Sequence, residues 1–210
     1  MAKESWFDSL TMIGLRKHHF WLTNLPTQVE TIVNFGCMSG SEPFALIWTL
    51  DAKEVTVIEI DKYYIEVLNN EIDIVSHRYP KSLQGRTIKL INGDMTKPLP
   101  ELSDQYFDLA YCEDILYAIL LNQGSQALEQ GIMQMVRVVK PNGYIIAVEP
   151  KFGAEFETVF HPILKIPYNI PIQKSEPKDM SYLFSSKELQ KIDVVGCPQY
   201  AYCYQKANNQ

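Results

Sequence analysis

Residues 31–50 read TIVNFGCMSGSEPFALIWTL, and the order of residue types in this stretch decides the fold. Thr31-Ile32-Val33-Asn34-Phe35 is β-branched and aromatic, too short for a helix and mostly apolar, as expected of a strand buried on both faces of a parallel sheet. Gly36-Cys37-Met38-Ser39-Gly40 follows as a loop whose glycines allow positive φ and let a ligand approach the backbone closely. Ser41 then predicts a helix cap and Pro43 a first turn, with Phe44, Leu46, Ile47 and Leu50 as the apolar face. This order turns a helix N-terminus, with its free N–H groups and partial positive charge, towards the loop. It is the pattern of an α/β domain that grips a nucleotide-bearing ligand.

Working outward, Val55-Thr56-Val57-Ile58-Glu59-Ile60-Asp61 is a second apolar run, ending in two carboxylates about 20 residues past the loop, where this architecture puts the acid that binds ribose hydroxyls. Glu59 is assigned that role, and Asp61 the capping of a helix over 62–70. Further along, periodicity predicts helices over 63–75 and 125–139 and strands over 87–91, 108–112 and 144–148. This alternation implies a doubly wound parallel sheet. Four prolines, Pro162, Pro167, Pro171 and Pro177, make 159–178 irregular and point to a lid or substrate-facing insertion. A helix capped by Ser185 or Ser186 and running through Leu189 is expected next, then strands over 192–195 and 200–204.

Four stretches in order, from about residue 31 to 150, resemble the class I S-adenosylmethionine-dependent methyltransferases. They are the loop with Glu59; Ile91-Asn92-Gly93-Asp94-Met95, similar to a strand-end Gly-Asp; Phe107-Asp108-Leu109-Ala110-Tyr111-Cys112-Glu113, similar to a fourth strand; and Arg137-Val138-Val139-Lys140-Pro141-Asn142-Gly143, similar to the turn into a fifth. The resemblance implies a mostly parallel seven-stranded sheet with helices on both faces and the last strand antiparallel. It implies S-adenosylmethionine as cofactor, held by Asn34, Gly36, Cys37, Met38, Gly40, Glu59, Ile60, Asp94, Met95 and Cys112. Two positions depart from it. Asn34 stands where the family usually has an acid, keeping hydrogen-bonding capacity but losing the charge that favours an ammonium group. Met38 stands where a glycine is usual, so its side chain must swing aside or narrow the pocket. Asp94 also fits ordinary turn chemistry.

The composition, 46% apolar and 21% charged over 210 residues, suits one sizeable core and a single domain. Within it the expected division is an N-terminal helical cap (1–25), the cofactor-binding core (31–150), an insertion or lid (151–185) and a C-terminal helix and strands (186–210). The N-terminus lacks signal-peptide organisation and no stretch spans a bilayer, so a cytoplasmic protein is expected. Cys37, Cys112, Cys197 and Cys203 lack Cys-x-x-Cys spacing and, like the four scattered histidines, give no support to a metal site. A net charge of −6 argues against an extensive nucleic-acid face. The basic, aromatic run Arg16-Lys17-His18-His19-Phe20-Trp21 reads as part of a helix over 5–22 that packs Trp6, Leu10, Ile13, Phe20 and Trp21 on the domain.

Methyl transfer is an in-line displacement that needs positioning more than catalytic side chains. Asp114 and Tyr117, following the fourth strand, are the candidate catalytic groups on the acceptor side; a helix cap and a packing role are their structural alternatives. Glu113-Asp114-Ile115-Leu116 is unlike the Asn/Asp-Pro-Pro-Tyr signature of base- and glutamine-directed members, which leaves a small-molecule acceptor first and a protein acceptor second. A nicotinamide-dependent dehydrogenase fits poorly, because Gly36-x-Met38-x-x-Ser41 breaks the Gly-x-Gly-x-x-Gly spacing and Tyr-x-x-x-Lys occurs only as Tyr202 to Lys206. A catalytically silent binding or partner-stabilising module is the other alternative, with Asn34 and Met38 in its favour.

Overall fold

In the computed structural model of this chain, residues 19–37, 40–149, 188–197 and 201–208 are described. A short 3-10 helix, Phe20–Asn24, leads into β1 (Thr31–Phe35), α1 (Glu42–Thr49), β2 (Glu54–Glu59), α2 (Lys62–Arg78), β3 (Thr87–Asn92) and β4 (Phe107–Glu113). Then come α3 (Leu116–Gln123), α4 (Ser125–Val138), β5 (Val139–Val148), β6 (Leu189–Lys191) and β7 (Ala201–Lys206). The seven strands form one sheet in the order β3-β2-β1-β4-β5-β7-β6. β1 to β5 are parallel, and β7 runs antiparallel to both β5 and β6. After β3 the chain crosses back to lay β4 on the other side of β1, so the strand order reverses between β1 and β4, where open α/β sheets leave a crevice for ligands.

The alternation of side chains along β1 explains the two-faced core. Ile32 points to a layer with Val55, Val57, Leu109 and Tyr111, covered by Phe44, Leu46 and Ile47 of α1 and Leu68 and Val75 of α2. Val33 and Phe35 point the opposite way, to Ala110 and Cys112, covered by Leu116 and Ile119 of α3 and Leu128, Ile132 and Met135 of α4. Both faces of the strand are buried, so its near-continuous apolar sequence is what a central parallel strand requires.

The N-terminal edge of the sheet is tied by Asp108. Its Oδ2 accepts from the backbone N–H groups of Glu30 (3.0 Å) and Thr31 (2.9 Å) and from the Thr31 hydroxyl (3.0 Å), while Lys140 Nζ donates to Oδ1 at 2.7 Å. Arg137 anchors the other end of the same motif, donating to the carbonyls of Leu102 (2.9 Å) and Leu99 (3.1 Å) and pairing with Asp104. The residues that resemble the family's turn into a fifth strand therefore act as framework ties here.

Several sequence expectations are corrected. β5 begins at Val139, not at 144, because Pro141-Asn142-Gly143 is absorbed as an irregularity opposite Phe107–Leu109, with Asn142 at φ 65°. Leu189 belongs to β6 rather than to a helix, and residues 192–195 are not a strand: Leu189, Gln190 and Lys191 pair with Lys206, Gln205 and Tyr204, and the chain then turns at Gly196. Phe20 is 65% exposed while Trp21 and Leu22 are buried, since the 3-10 geometry directs those two inward. Ser41 stands at the N-cap of α1 but makes no side-chain capping bond. Residues 5–18 of the helix expected over 5–22, Met38, and the insertion over 151–185 with its neighbours to 187 lie outside the described residues. Among the described residues no helix is long and apolar enough to cross a membrane.

Candidate functional site

β2 ends at Glu59, which sits at the carboxyl edge of the sheet and is only 5% exposed. Its two oxygens are held by backbone: Oε2 accepts from Cys37 N at 3.0 Å and Oε1 from Asp61 N at 2.9 Å. A side chain clamped in this way carries a fixed orientation, and a carboxylate oxygen has two lone-pair directions. Asp61 caps α2 through Oδ1 and Tyr63 N at 2.9 Å, as its position after the strand implies.

One strand further, Asp94 folds into its own turn: Oδ1 accepts from Thr96 N (2.9 Å) and Thr96 Oγ1 (2.7 Å). The turn chemistry is real, and it also fixes the carboxyl at the end of β3. Among the described residues its Oδ2 takes no hydrogen bond, so one oxygen remains to face outward. Gly36, Glu59, Ile60, Gly93, Asp94 and Met95 line a cleft of about 260 Å³ whose far wall comes from α3. Ile115, Ala118, Ile119, Asn122 and Gln123 make that wall, and none of them had been singled out from sequence. Apolar groups dominate, with carboxylates at the edge, the usual make-up of a small-molecule site.

α3 was the missing element. Ile115, Leu116, Ile119 and Leu120 recur at helical spacing, a signal present in the sequence and obscured because the run looks like the continuation of the preceding strand. Its N-terminus is held by Glu149 at the end of β5, whose carboxyl accepts from Leu116 N (2.9 Å) and Tyr117 N (3.1 Å). Burial pushes the Glu149 carboxyl up to about 8 although those N–H groups favour its ionised form. Asp114 precedes α3 with φ 60°, in the left-handed region, and donates its N–H to Val148 O at 2.9 Å. It is not the helix cap; Ile115 occupies that position.

The glycine loop is tighter than its sequence suggests. Gly36 and Gly40 both have φ 78°, and Gly40 N closes a turn on Cys37 O at 2.7 Å. A Cβ on Gly36 would lie 2.3 Å from Ile115 Cδ1, and one on Gly40 3.2 Å from Leu68 Cδ1. Gly40 is held to glycine by its positive φ and lies close against Leu68 of α2, while a ligand reaching the Gly36 backbone must move the end of the Ile115 side chain. Cys112 does not line the cleft: it is wholly buried in the layer under α3 and α4, because the alternation along β4 turns it inward there. Burial, reinforced by Glu149 and other acids, pushes its thiol up.

Beneath the loop lies a group of acids. Asn34 is wholly buried, and its Nδ2 donates to Glu42 Oε1 in the first turn of α1. Burial, then Glu113, Asp114 and Glu59, hold the Glu42 carboxyl well above the usual range, against the bond from Asn34. Glu113 accepts from the Tyr111 hydroxyl at 3.0 Å and has His19 Nε2 at 3.4 Å. Asn34 thus belongs to this acidic group, next to the cleft rather than in its wall. A second, more open groove of about 660 Å³ runs between α2 and β3, past Ile65, Glu66, Asn69 and Ile88. It lies away from the carboxyl ends of the strands and brings together no set of groups suited to chemistry.

A family profile described as "Methyltransferase domain" matches residues 33–147, more than half of the chain. No curated protein matches it by sequence. Among solved structures, the N-methyltransferase NodS from Bradyrhizobium japonicum WM9 is similar, with 14% identity over 96% of this chain and 100% of that one and a TM-score of 0.60. The same enzyme in complex with S-adenosyl-L-homocysteine gives 15% identity over 98% and 90%, with a TM-score of 0.58. The glycopeptide N-methyltransferase MtfA, complexed with S-adenosyl-L-methionine, gives 13% identity over 64% and 53%, with a TM-score of 0.50. The chain spans about half the length of some of the structures it matches, MtfA among them. At these identities the structural likeness speaks to the fold, a Rossmann-like methyltransferase sheet, while the profile match speaks to descent. The chain belongs to the methyltransferase-domain family.

Proposed function

We propose that the protein is an S-adenosylmethionine-dependent methyltransferase acting on a small molecule. One observation carries the reading: Glu59, clamped by two backbone N–H groups, and Asp94, fixed by its own turn, stand on the rim of a mostly apolar cleft at the carboxyl ends of β2 and β3. That donor set fits an adenosine. Glu59 accepts from the ribose hydroxyls, Asp94 Oδ2 accepts from the exocyclic amine, and Ile60, Met95, Ile115 and Ile119 flank the ring. Gly36 and Cys37 supply backbone to the sugar and the chain beyond it, and Gly40 closes the turn on Cys37.

When bound, the cofactor supplies an activated methyl group, and the chain's own work is to orient the acceptor and exclude water. Asp114, after β4, and Tyr117, in the first turn of α3, are the groups we assign to the acceptor side. The Asp114 backbone is pinned to β5, and Glu149 holds the Tyr117 backbone. The nearby carboxylates Glu113 and Asp114 support a neutral or basic acceptor over an anionic one. A cytoplasmic setting belongs to the same reading, supported by four unbridged cysteines.

Calorimetric titration tests it. S-adenosylmethionine and S-adenosylhomocysteine bind the wild-type chain, NAD does not, and Glu59→Gln weakens both by at least tenfold. Failure of both to bind overturns the reading and leaves a catalytically silent member that works through partners.

A further inference from the structure

We propose that Glu42, in the first turn of α1, provides the carboxylate that receives the ammonium group of the cofactor, in place of the strand-end acid that Asn34 replaces. The inference deepens the cofactor reading above and rests on it.

Two independent observations meet at this point. The first is an orphan acceptor: Asn34 is wholly buried, its amide is turned towards Glu42 with Nδ2 donating to Oε1, and its Oδ1 meets no donor among the described residues. Buried polar atoms in native proteins nearly always find a partner, so an acceptor without one beside a carboxyl group asks for an incoming N–H. An ammonium carries three donors and no acceptor, and it can give one to Oδ1 and another to the Glu42 carboxylate together. The second is the electrostatics. Burial, with Glu113 on β4, Asp114 beyond it and Glu59 on β2, holds the Glu42 carboxyl well above the usual carboxylate range. Arrival of a cation reverses that balance, because an opposite charge at close range favours the ionised carboxylate. The charge missing from the end of β1 is therefore present in the first turn of α1, hydrogen-bonded to the side chain that took its place.

A purely structural role is distinguishable. Gln at position 42 keeps the length of the side chain and an oxygen to accept from Asn34 Nδ2, but it cannot become anionic. Binding is measured with two probes: S-adenosylhomocysteine, which has the ammonium, and 5′-methylthioadenosine, which shares the adenosine and sulfur but lacks the amino-acid end. For E42Q we expect at least a tenfold loss of S-adenosylhomocysteine affinity with 5′-methylthioadenosine unchanged within twofold. In N34D/E42Q, which returns the acid to the strand end and exchanges the two partners, affinity for S-adenosylhomocysteine recovers. Unchanged S-adenosylhomocysteine binding by E42Q, or an equal loss for both probes, overturns the assignment of Glu42 while leaving the cofactor reading standing. Failure of the wild-type chain to bind either probe overturns both.

Discussion

Replacing Glu59 by alanine separates the structural work of this side chain from any ligand it serves. The carboxylate accepts from Cys37 N at 3.0 Å, a buried bond, and from Asp61 N at 2.9 Å, a partly buried one. Bonds to a charged acceptor contribute about 1.5–3 kcal/mol each, and an N–H left buried without a partner loses that in full. Asp61 is exposed, so water replaces much of the second bond, which brings the expected cost of Glu59→Ala to about 2–4 kcal/mol in the absence of ligand. For a chain of this size that is a fall in melting temperature of about 5–12 °C. Urea unfolding at neutral pH, followed by circular dichroism without cofactor, measures it directly. Glu59→Gln falls between wild type and Glu59→Ala, because its carbonyl satisfies one N–H while its amide faces the other. A loss under about 0.5 kcal/mol for Glu59→Ala, within the range of an ordinary surface substitution, would refute the idea that this carboxylate ties the loop to the sheet.

Substitutions at three further positions test other parts of the structure. Asp108→Ala removes the acceptor of two backbone N–H groups and a partner of Lys140, and is expected to cost about 2–4 kcal/mol in the same unfolding assay. Burial works against the ionised Asp108, but Lys140 and the N–H donors from Thr31 and Glu30 hold its carboxyl below the ordinary value; its contribution is therefore present above the unfolded pKa and lost as pH falls through the folded one, so wild type loses more stability than Asp108→Asn on acidification below about pH 4. Glu149 behaves oppositely. With its carboxyl raised to about 8, its contribution is complete below the unfolded value and lost as pH rises to about 8, giving wild type a slope of up to about 1.4 kcal/mol per pH unit that Glu149→Gln lacks; parallel stability profiles over that window would show that the group is ionised throughout. Gly131 lies inside α4, and the tightest contact of a Cβ there is the flexible end of Met95 at 3.2 Å, with Met95 Cγ and Ile119 Cδ1 at ordinary distances, so Gly131→Ala is expected to stabilise by about 0.5–1 kcal/mol. A loss of stability would mean that Met95, in the cleft wall, has no room to yield.

The parts legible in the sequence were those in which local chemistry and burial agree. The apolar run of β1, the glycines at positive φ and the acid closing β2 each announce themselves because a doubly buried strand and a left-handed turn admit few residue types. Asp61 as a cap is legible for the same reason. The element missed inside the site, α3, follows β4 after only two residues, so its apolar residues merged with those of the strand. β6 was displaced by three residues because its position is decided by pairing with β7 across the sheet, not by its own short sequence. The family resemblance implies Cys112 as a cofactor residue, whereas the pleat turns it into the core.

By itself the sequence determined the class of fold, the order of the strands from β1 to β5 and the residues at the carboxyl ends of β1, β2 and β3, since these follow from periodicities and backbone preferences within a few neighbouring residues. Only the tertiary structure decided which of those residues meet. It joined Glu59 to Cys37 across the loop, set α3 as the opposite wall of the cleft, tied Glu149 to the start of that helix and brought Glu42 against Asn34. Such pairings are made by the crossovers of the chain and the packing of helices on the sheet, long-range terms that no local pattern of residues records.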